Sequence, residues 1–526
     1  MAEEVKISQK AKKKSKNFFL KLLFSHTMIN ILLLVLQIVV LFVTFHLMGQ
    51  YWQGFLVGCI VLSVILIIYI INDNENPAFK LAWMIPICAV PIFGVAAYIV
   101  VKTNPGTWKL KERLDGLKKE TEKYLQPVPE VVEQMEKEKS PISDLSHYLQ
   151  NINQMPTYQN TRVTYFSLGE DKYADILEEL KKAEKFIFLE YYIIDRGKMW
   201  DSVLEILEQK VKEGVEVRVM YDGMCTLYKL PYRYPRQLTA KGIKAQVFFP
   251  IVPLLSTHQN SRDHRKILVI DGKIAYNGGI NLADEYINEI NLYGHWKDAA
   301  VKLEGEAVKS FTVMFLQMWN VSSTLSEDYE RYINVKPQSF TDAPLGYVIP
   351  YNDDPINRED IAECVYLDII AKAKNYVHIM TPYLILDYET ENALMFAAKR
   401  GVDVKLILPH IPDKKIPFAI ARTYYRDLLQ AGVKIYEYEP GFVHAKVFVS
   451  DDDRAVVGSI NLDYRSLFEH FECATFIYNN PVVADIEKDV QKTLEKCITV
   501  TEEYYRSLPL FGKLVGRVFR IFGSLM

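Results

Sequence analysis

One pattern occurs twice in this chain and constrains its fold more than any other feature. The segment "DHRKILVIDGKIAYNGGIN" covers 263–281, and the segment "VHAKVFVSDDDRAVVGSIN" covers 443–461. In both, a histidine and a lysine two apart are followed by an aspartate, a glycine and an asparagine at one spacing, with each pair 180 positions apart. The repeated residues are His264, Lys266, Asp271, Gly278 and Asn281, and then His444, Lys446, Asp451, Gly458 and Asn461. We interpret the repeat as one active site divided between two halves.

The similarity between the halves extends upstream of each motif. Apolar runs of strand length, "AEKFIFLEYYIIDRG" and "AKNYVHIMTPYLILD", are each followed by a helical stretch that ends in "EGVEVRVMYD" or "RGVDVKLILP". Strands that are apolar on both faces, alternating with helices, predict a sheet covered by helices. We therefore expect an α/β protein with two pseudo-symmetric domains, each a mixed sheet flanked by helices, at 156–325 and 346–505.

The amino-terminal region predicts a helical membrane anchor at 1–105. After a lysine-rich start, "MINILLLVLQIVVLFVTFHLMG" and "GFLVGCIVLSVILIIYII" are each long enough to cross a bilayer as a helix, and no cleavage site of a signal peptide follows. Pro86 and Pro91 interrupt the third stretch, "LAWMIPICAVPIFGVAAYIVV". Basic residues on both sides require an even number of crossings, which predicts two spans and a third segment that is re-entrant or interfacial.

Two further segments flank the α/β halves. Residues 106–155 are charged and helix-prone, and we expect a helical linker near the membrane. Residues 506–526 carry basic and apolar side chains at helical spacing, which is typical of an amphipathic helix at a membrane surface. The competing interpretation is a terminal helix packed on the core.

Composition excludes several classes of site. A net charge of −3 over 526 residues gives no overall attraction for nucleic acid. The six cysteines have no C-x-x-C spacing, so neither a zinc site nor a disulfide framework is indicated. No carboxylate cluster suited to magnesium is evident, and we expect neither a metal nor another cofactor.

The repeated residue types favour chemistry on a phosphate ester. Histidine and lysine two apart on a strand point to the same face, where lysine supplies charge and imidazole can attack phosphorus or protonate a leaving alkoxide. Asn281 and Asn461 add amide donors for phosphate oxygens. Two facing halves provide a nucleophile on one side of phosphorus and an acid on the other. As members of the motif, Asp271 and Asp451 are counted among the catalytic residues with His264, Lys266, His444 and Lys446. They lie across the strand parity, however, and are better placed to fix the following turn than to contact the substrate.

Three acidic residues are candidates for supporting roles. Asp298 follows His264 by 34 positions and Glu472 follows His444 by 28, so each acid is associated with the histidine of its own half. A carboxylate on a neighbouring strand would fix the tautomer of each ring. Glu190 interrupts an apolar strand and is expected at the mouth of the site. The remaining histidines considered are interpreted as solvated or packed: His258, His295, His378 and His470.

These segments resemble the phospholipase D superfamily with its paired H-x-K-x4-D motif, and within it the bacterial cardiolipin synthases. The resemblance rests on "SRDHRKILVIDGKIAYNGGIN", on "PYLILDYETENALMFAAKRGVDVKLILP" and on "GFVHAKVFVSDDDRAVVGSINLDYRSLFEHFE". It implies transfer between two phosphatidylglycerol molecules, through a phosphatidyl-histidine, to give cardiolipin and glycerol. It also implies a multi-pass protein of the bacterial cell membrane, with cytoplasmic catalytic domains that act on phosphatidylglycerol and other phospholipids and not on nucleic acid.

Alternatives remain at this stage. A membrane-bound phospholipase D would use water and release phosphatidic acid, whereas a scaffold without activity would not need both intact motifs. Pseudo-symmetry leaves the two histidines nearly equivalent, and only the family analogy favours His264 as nucleophile and His444 as general acid. Gly279 stands where the second copy has Ser459, which removes one hydroxyl contact from the first half.

Overall fold

The computed structural model describes residues 39, 42–43, 52–102, 105–231, 233–250, 261–321, 327–340, 345–357 and 359–525. Apart from residues 39, 42 and 43, the first predicted membrane span lies outside the described residues, as does His258. The chain divides into two compact units, 1–103 with 252–255 and 104–251 with 256–526.

The smaller unit contains one long apolar helix, Trp52–Asn72. Its segment Gln53–Asn72, with mean hydropathy 3.0, is long and apolar enough to cross a membrane, and it alone passes that test among the described residues. The third apolar stretch forms two short helices, Pro77–Ala89 and Pro91–Lys102. Helical rise makes each too short to cross a bilayer by itself. The break falls at Val90, because a residue before a proline is disfavoured in a helix.

The larger unit contains two mixed sheets and one small parallel sheet. The strands are β1 Thr161–Phe166, β2 Phe186–Tyr191, β3 Glu216–Asp222, β4 Lys244–Phe248, β5 Lys266–Ile270, β6 Ile274–Gly278, β7 His295–Lys297, β8 Ala300–Gly305, β9 Tyr347–Asp353, β10 Tyr376–Met380, β11 Asp403–Pro409, β12 Lys434–Tyr438, β13 Gly441–Val443, β14 Val447–Ser450, β15 Arg454–Gly458, β16 Glu472–Tyr478 and β17 Cys497–Val500. The first sheet has seven strands in the order β1-β8-β6-β5-β2-β3-β4, and the second has eight in the order β17-β12-β11-β10-β14-β15-β16-β9.

Helices flank these sheets. The predicted mixed α/β fold, with two similar halves and an apolar helix in the amino-terminal region, is confirmed. Short turns of 3-10 or π helix also occur at Glu122–Tyr124, Asp284–Ile287, Arg465–Glu469 and Gly523–Leu525. The α-helices of the larger unit are Pro105–Thr121, Pro129–Glu138, Ser143–Asn153, Gly169–Lys181, Lys198–Lys212, Cys225–Tyr228, Tyr234–Ala240, Val308–Val321, Glu330–Ile333, Ile361–Lys372, Tyr388–Lys399, Lys415–Gln430, Val482–Leu494, Glu502–Ser507 and Leu510–Arg520.

The helix Val308–Val321 explains why the two halves form one unit. It packs on β5 and β6 of the first sheet and on β9 of the second. Nearly all of its side chains are buried, including polar ones such as Thr312. A helix that is buried all round must have protein on every side, which fits a place between two sheets.

The segment predicted as a linker, 106–155, forms helices that contact the second half directly. Lys118 Nζ lies 2.5 Å from Asp354 Oδ2, and Asn153 Nδ2 donates to the carbonyl of Asn352 at 2.6 Å. The segment therefore belongs to the same compact unit as the two sheets. The exact domain boundaries stay predictions.

Short backbone pairings join the halves at the place where the motifs begin. Strand β7, which precedes Asp298, pairs in parallel with β13, which precedes His444. An isolated parallel bridge joins Asp263, next to His264, to Phe471, next to Glu472. Each motif histidine is thereby brought beside a chain segment of the opposite half.

Candidate active site

Backbone hydrogen bonds fix each motif histidine against the opposite half. The amide of His264 donates to the carbonyl of Phe471 at 2.9 Å, and the amide of His444 donates to the carbonyl of Lys297 at 2.6 Å. Phe471 and Lys297 directly precede Glu472 and Asp298 in the sequence. The carboxylate of one half is therefore the neighbour of the histidine of the other half.

The side chains are paired in the same crossed way. Sequence spacing had associated each acid with the histidine of its own half, and that association is wrong. His264 Nδ1 lies 2.8 Å from Glu472 Oε1, and His444 Nδ1 lies 2.6 Å from Asp298 Oδ2. All four side chains are buried. An Nδ1–H that donates to a carboxyl oxygen leaves Nε2 of each ring available to a substrate.

The two acids differ in charge state although their positions are equivalent. Burial would raise the pKa of Asp298, but His444, Lys446 and the Ala299 amide lower it below its ordinary value. Burial raises the pKa of Glu472 to about 8, and the nearby Lys266 offsets only part of this. Asp298 is thus an anion at neutral pH, whereas Glu472 is mainly protonated.

Gly279 in the first half and Ser459 in the second half make different contacts with these acids. Ser459 Oγ makes a close hydrogen-bond contact with Glu472 Oε2, so the second half gains the hydroxyl contact that the first half lacks. In the first half, a Cβ on Gly279 would lie 2.2 Å from Asp298 Oδ1. Position 279 therefore requires a residue without a side chain, because a Cβ there would collide with the Asp298 carboxylate.

The histidines are held mainly in their neutral form. Burial, reinforced by Lys266 and His470, lowers the pKa of His264 well below its ordinary value. Burial and Lys446 lower the pKa of His444 to about 4, although its ionised partner Asp298 acts in the opposite direction. Only His444 has an anionic partner that opposes the loss of its proton.

The motif lysines lie beside the histidines, although Lys266 alone of these four residues lies in a strand. Each Nζ makes a close contact with the carbonyl of the histidine two residues earlier. Burial lowers the pKa of Lys266 to about 8 and that of Lys446 to about 7. A buried ammonium group with so few partners favours the arrival of an anion.

The two asparagines differ in their hydrogen bonds. Asn281 Oδ1 accepts from the amide of Ile193 at 2.9 Å, and its Nδ2 donates to Tyr286 Oη at 2.7 Å. Asn461 Oδ1 is buried and has no hydrogen-bond partner among the described residues. Asn461 is therefore the better placed of the two to reorient around a ligand.

Asp271 and Asp451 lie outside the catalytic group. The prediction that counted them among the catalytic residues is therefore wrong. Asp271 accepts from the amides of Glu184, Lys185 and Phe186 at 2.7 to 2.8 Å, and Asp451 accepts in the same way from 374–376. Both aspartates have positive φ, of 55° and 52°. They hold the turn that enters β2 or β10, and not the turn that follows them in sequence.

Glu190 is in the core and not at the mouth of the site. Its side chain is 0 % exposed, and its Oε1 lies 2.5 Å from Arg265 Nη2. Burial raises the pKa of Glu190 well above its ordinary value, although Arg265 opposes the shift. The acid interrupts an apolar strand because a buried arginine of the motif strand needs a partner.

A cavity of about 840 Å³ opens on the paired histidines. Its lining combines aromatic and apolar side chains with basic groups such as Lys414, Lys415 and Arg465. Motif residues in the lining are His264, His444, Asn281 and Asn461. A site of this kind suits a ligand that has both an anionic group and apolar parts.

Comparisons with known proteins identify the family of this chain. The family model described as "Cardiolipin synthase, PLD-like domain" matches residues 176–319 and 366–494, and the model "Phospholipase_D-nuclease N-terminal" matches 61–102. A cardiolipin synthase of Geobacillus kaustophilus is 32 % identical over 492 residues, which cover 90 % of this chain and 95 % of the relative. The chain belongs to the cardiolipin synthase family of the phospholipase D superfamily.

Two other proteins are similar to this chain, one in sequence and one in fold. An uncharacterized protein of Streptococcus mutans is 50 % identical over 461 residues, covering 88 % of this chain and 99 % of that protein. The crystal structure of phosphatidylserine synthase from Haemophilus influenzae has a TM-score of 0.56 at 14 % identity, covering 73 % of this chain and 100 % of that one. At 14 % identity, this similarity shows the fold alone.

Two residues that line the cavity of this cardiolipin synthase family member were not predicted from the sequence to belong to the site. Trp296 lies two residues before Asp298 and its ring centroid is 5.3 Å from that of His444, while His470 lies two residues before Glu472 and is 5.6 Å from His264. Both line the cavity. Alignment of the two halves on their acids would have found them, since they occupy equivalent positions.

Proposed function

We propose that this chain makes cardiolipin and glycerol from two phosphatidylglycerol molecules through a phosphatidyl-histidine intermediate. It is an enzyme of the phospholipid phosphatidyltransferase class, and it associates with membranes. The observation that carries the proposal is the crossed arrangement, in which two histidines with opposite carboxyl partners face one cavity. Neither half alone contains both members of either pair.

The first step proposed is attack of His264 Nε2 on phosphorus. The substrate phosphate anion raises the pKa of His444 when it binds, so that His444 enters this step protonated at Nε2. The bond between phosphorus and the glycerol oxygen then breaks, and His444 donates this proton to that oxygen, so that glycerol leaves. Support for these roles comes from the difference between the acids. An ionised Asp298 favours the protonated form of His444, whereas a neutral Glu472 leaves His264 neutral and nucleophilic.

The second step reverses the first with another lipid. Neutral His444 takes the proton from a glycerol hydroxyl of the second phosphatidylglycerol, and the resulting alkoxide attacks phosphorus on His264. The P–N bond breaks, cardiolipin forms, and His264 returns to its neutral state. His444 finishes with the proton that the next first step requires.

Four side chains are assigned to the phosphate. A phosphate anion beside Lys266 and Lys446 would raise their lowered pKa values and hold both as ammonium ions. Asn461 can turn its amide so that Nδ2 donates to a phosphoryl oxygen, which its unpaired Oδ1 cannot do, and Asn281 contributes mainly by fixing the loop at Ile193. Together they stabilise the charge that develops on the phosphoryl oxygens.

Apolar surface near the cavity supports a lipid substrate. Lys415 and Ile416, both in the cavity lining, begin the helix Lys415–Gln430, and the helix Leu510–Arg520 packs against it. On that second helix Leu510, Phe511 and Leu514 are 82 %, 77 % and 61 % exposed.

The basic side chains of this terminal helix are only partly available to a membrane. Arg520 Nη2 lies 3.0 Å from Glu391 Oε2, so it faces the protein, whereas Arg517 is exposed. We propose that the apolar side of the helix lies in the membrane interface.

Product analysis tests the reaction. Purified protein is incubated with labelled phosphatidylglycerol in mixed micelles, and products are separated by thin-layer chromatography. Cardiolipin together with glycerol is expected. Phosphatidic acid as the main product would show that water is the acceptor and that the chain is a phospholipase D.

Trapping tests the roles of the histidines. In a His444→Asn protein, attack survives better than the later steps, so acid quenching should leave labelled phosphatidyl groups on the peptide that contains His264. The matched variant is His264→Asn, which should carry no label. Label on the His444 peptide of that variant, with none in the first, would exchange the two roles.

We also propose a multi-pass anchor with the catalytic unit on the cytoplasmic side, because basic residues flank the apolar region on both sides. The test uses a cysteine-free background with Tyr388→Cys, a position that is 76 % exposed. A membrane-impermeant maleimide should label this cysteine only after cells are opened. Labelling in intact cells would place the catalytic unit outside.

A further inference from the structure

His470 is a buried histidine that the proposed reaction does not use. Its side chain is 9 % exposed, and neither ring nitrogen has a hydrogen-bond partner among the described residues. A buried imidazole without a partner is unusual, because each unmet polar group carries an energetic penalty. The equivalent position in the first half is Trp296, which has no comparable pair of free nitrogens.

The neighbours of His470 are ligands that transition metals prefer. Its Nδ1 lies 3.9 Å from Glu472 Oε1, and the same oxygen lies 2.8 Å from His264 Nδ1. One ligand atom from each of these three residues lies within 4.8 Å of the others. Two imidazoles and one carboxylate form a donor set found in zinc sites that keep one position open.

The separations match a tetrahedral ion with little movement. Bonds of about 2.0 to 2.1 Å place neighbouring ligand atoms about 3.3 Å apart. The two measured separations, 2.8 and 3.9 Å, lie on either side of that value. Shifts of about half an ångström would bring each histidine nitrogen to that distance from Glu472 Oε1, while the ligand atoms of the two histidines lie within 4.8 Å of each other. The fourth position would remain for water or a phosphate oxygen.

We propose that His264, His470 and Glu472 form an inhibitory site for a divalent zinc-like ion. The inference goes beyond the proposed function, since binding of the ion does not depend on which lipid is the acceptor. An ion bound to His264 Nδ1 moves the ring proton from that nitrogen to Nε2, and the proton of Glu472 passes to solvent as its carboxylate binds the ion. Nε2 then carries a hydrogen and has no free lone pair with which to attack phosphorus. The first half, with Trp296 in place of the extra histidine, offers no matching set.

Metal binding is measured first, without reference to turnover. Full-length protein in detergent is stripped with EDTA, transferred to chelator-free buffer and titrated with Co²⁺. The visible absorption of tetrahedral Co²⁺ should rise to one ion per chain and disappear when Zn²⁺ is added. Absence of this spectrum in the wild-type protein would overturn the proposal, whatever reaction the enzyme catalyses.

Inhibition is measured second, with each protein compared with its own zinc-free rate. Zn²⁺ should inhibit the wild-type protein reversibly, and EDTA should restore the rate. His470→Asn should raise the Zn²⁺ concentration for half inhibition by at least about tenfold, since loss of a ligand weakens a site at least as much as loss of an outer partner. His410→Asn is the matched control, because His410 pairs with Glu437 at 2.9 Å outside the cavity lining.

The variants separate a protein site from effects on the lipid. If zinc acted on anionic headgroups, His470→Asn and His410→Asn would show the same inhibition as the wild type, and the proposal would fail. If His470→Asn is too unstable to assay, the Co²⁺ spectrum of the wild-type protein decides alone. A spectrum of octahedral Co²⁺ with oxygen ligands would also refute the site.

Discussion

Replacing each supporting acid by its amide should have very unequal effects. Asp298→Asn and Glu472→Gln each remove one carboxylate beside an imidazole and preserve its shape. The acids hold equivalent positions in the two halves, and symmetry alone would predict equal losses. The structure predicts otherwise, because Asp298 is ionised while Glu472 is mainly protonated.

Asp298→Asn should remove most turnover. Asp298 Oδ1 accepts from the Ala299 amide at 2.8 Å, and Oδ2 accepts from His444 Nδ1. An asparagine keeps a single acceptor oxygen. If the Ala299 amide donates to this oxygen, the asparagine NH₂ group faces His444 Nδ1. Nδ1 must then accept a hydrogen bond, so the ring proton moves to Nε2, which is no longer a base. A wrong tautomer in a Ser-His-Asp site lowers turnover by about 10⁴, and we expect about 10³ to 10⁴ here.

Glu472→Gln should be far milder. With a pKa of about 8, only about one tenth of Glu472 is ionised at pH 7. In the wild-type protein Ser459 Oγ donates to Glu472 Oε2. A glutamine oxygen can accept from His264 Nδ1 while its NH₂ group donates to Ser459 Oγ, provided that the hydroxyl turns to donate to the Cys473 carbonyl at 3.1 Å. We expect a loss of less than about tenfold. Above pH 8 the wild-type acid ionises and raises the basicity of His264, so the ratio of wild-type to variant rates should increase there.

The assay is the rate of cardiolipin formation from labelled phosphatidylglycerol, measured at several pH values with thermal unfolding as a check on folding. Glu487→Gln is a matched control, since Glu487 contacts the buried His378 at 3.0 Å away from the cavity lining. Its rate should stay within about twofold of the wild type. Equal losses in Asp298→Asn and Glu472→Gln would refute the assignment of different charge states.

Three further outcomes are expected. His264→Ala and His444→Ala should each lower turnover by at least about 10³, and the double variant should be little worse, because both act in one site; additive losses would indicate two sites. Excess EDTA should leave the rate in micelles intact or raise it, whereas a loss reversed only by one metal would contradict charge stabilisation by lysine. Gly279→Ser should displace Asp298 and lower turnover, while Ser459→Gly should have a smaller effect, as assayed in matched preparations.

Local patterns in the sequence were sufficient for the fold class and for the members of the motif. Strand periodicity predicted that His264 and Lys266 share one face, and the repeat at 180 positions identified the matching pair in the second half. These inferences depend only on spacing along one strand or on comparison of two segments. The apolar helix Trp52–Asn72 was equally predictable, since length and hydropathy are local properties.

Only the tertiary structure decided which groups meet. The partner of His264 is 208 residues away and the partner of His444 is 146 residues away, and each is chosen by short backbone pairings between the halves. Spacing favoured the acid of the same half because sequence distance carries no information about contacts across an interface. Burial likewise decided that Glu190 pairs with Arg265, since a charge inside a core requires an opposite charge beside it.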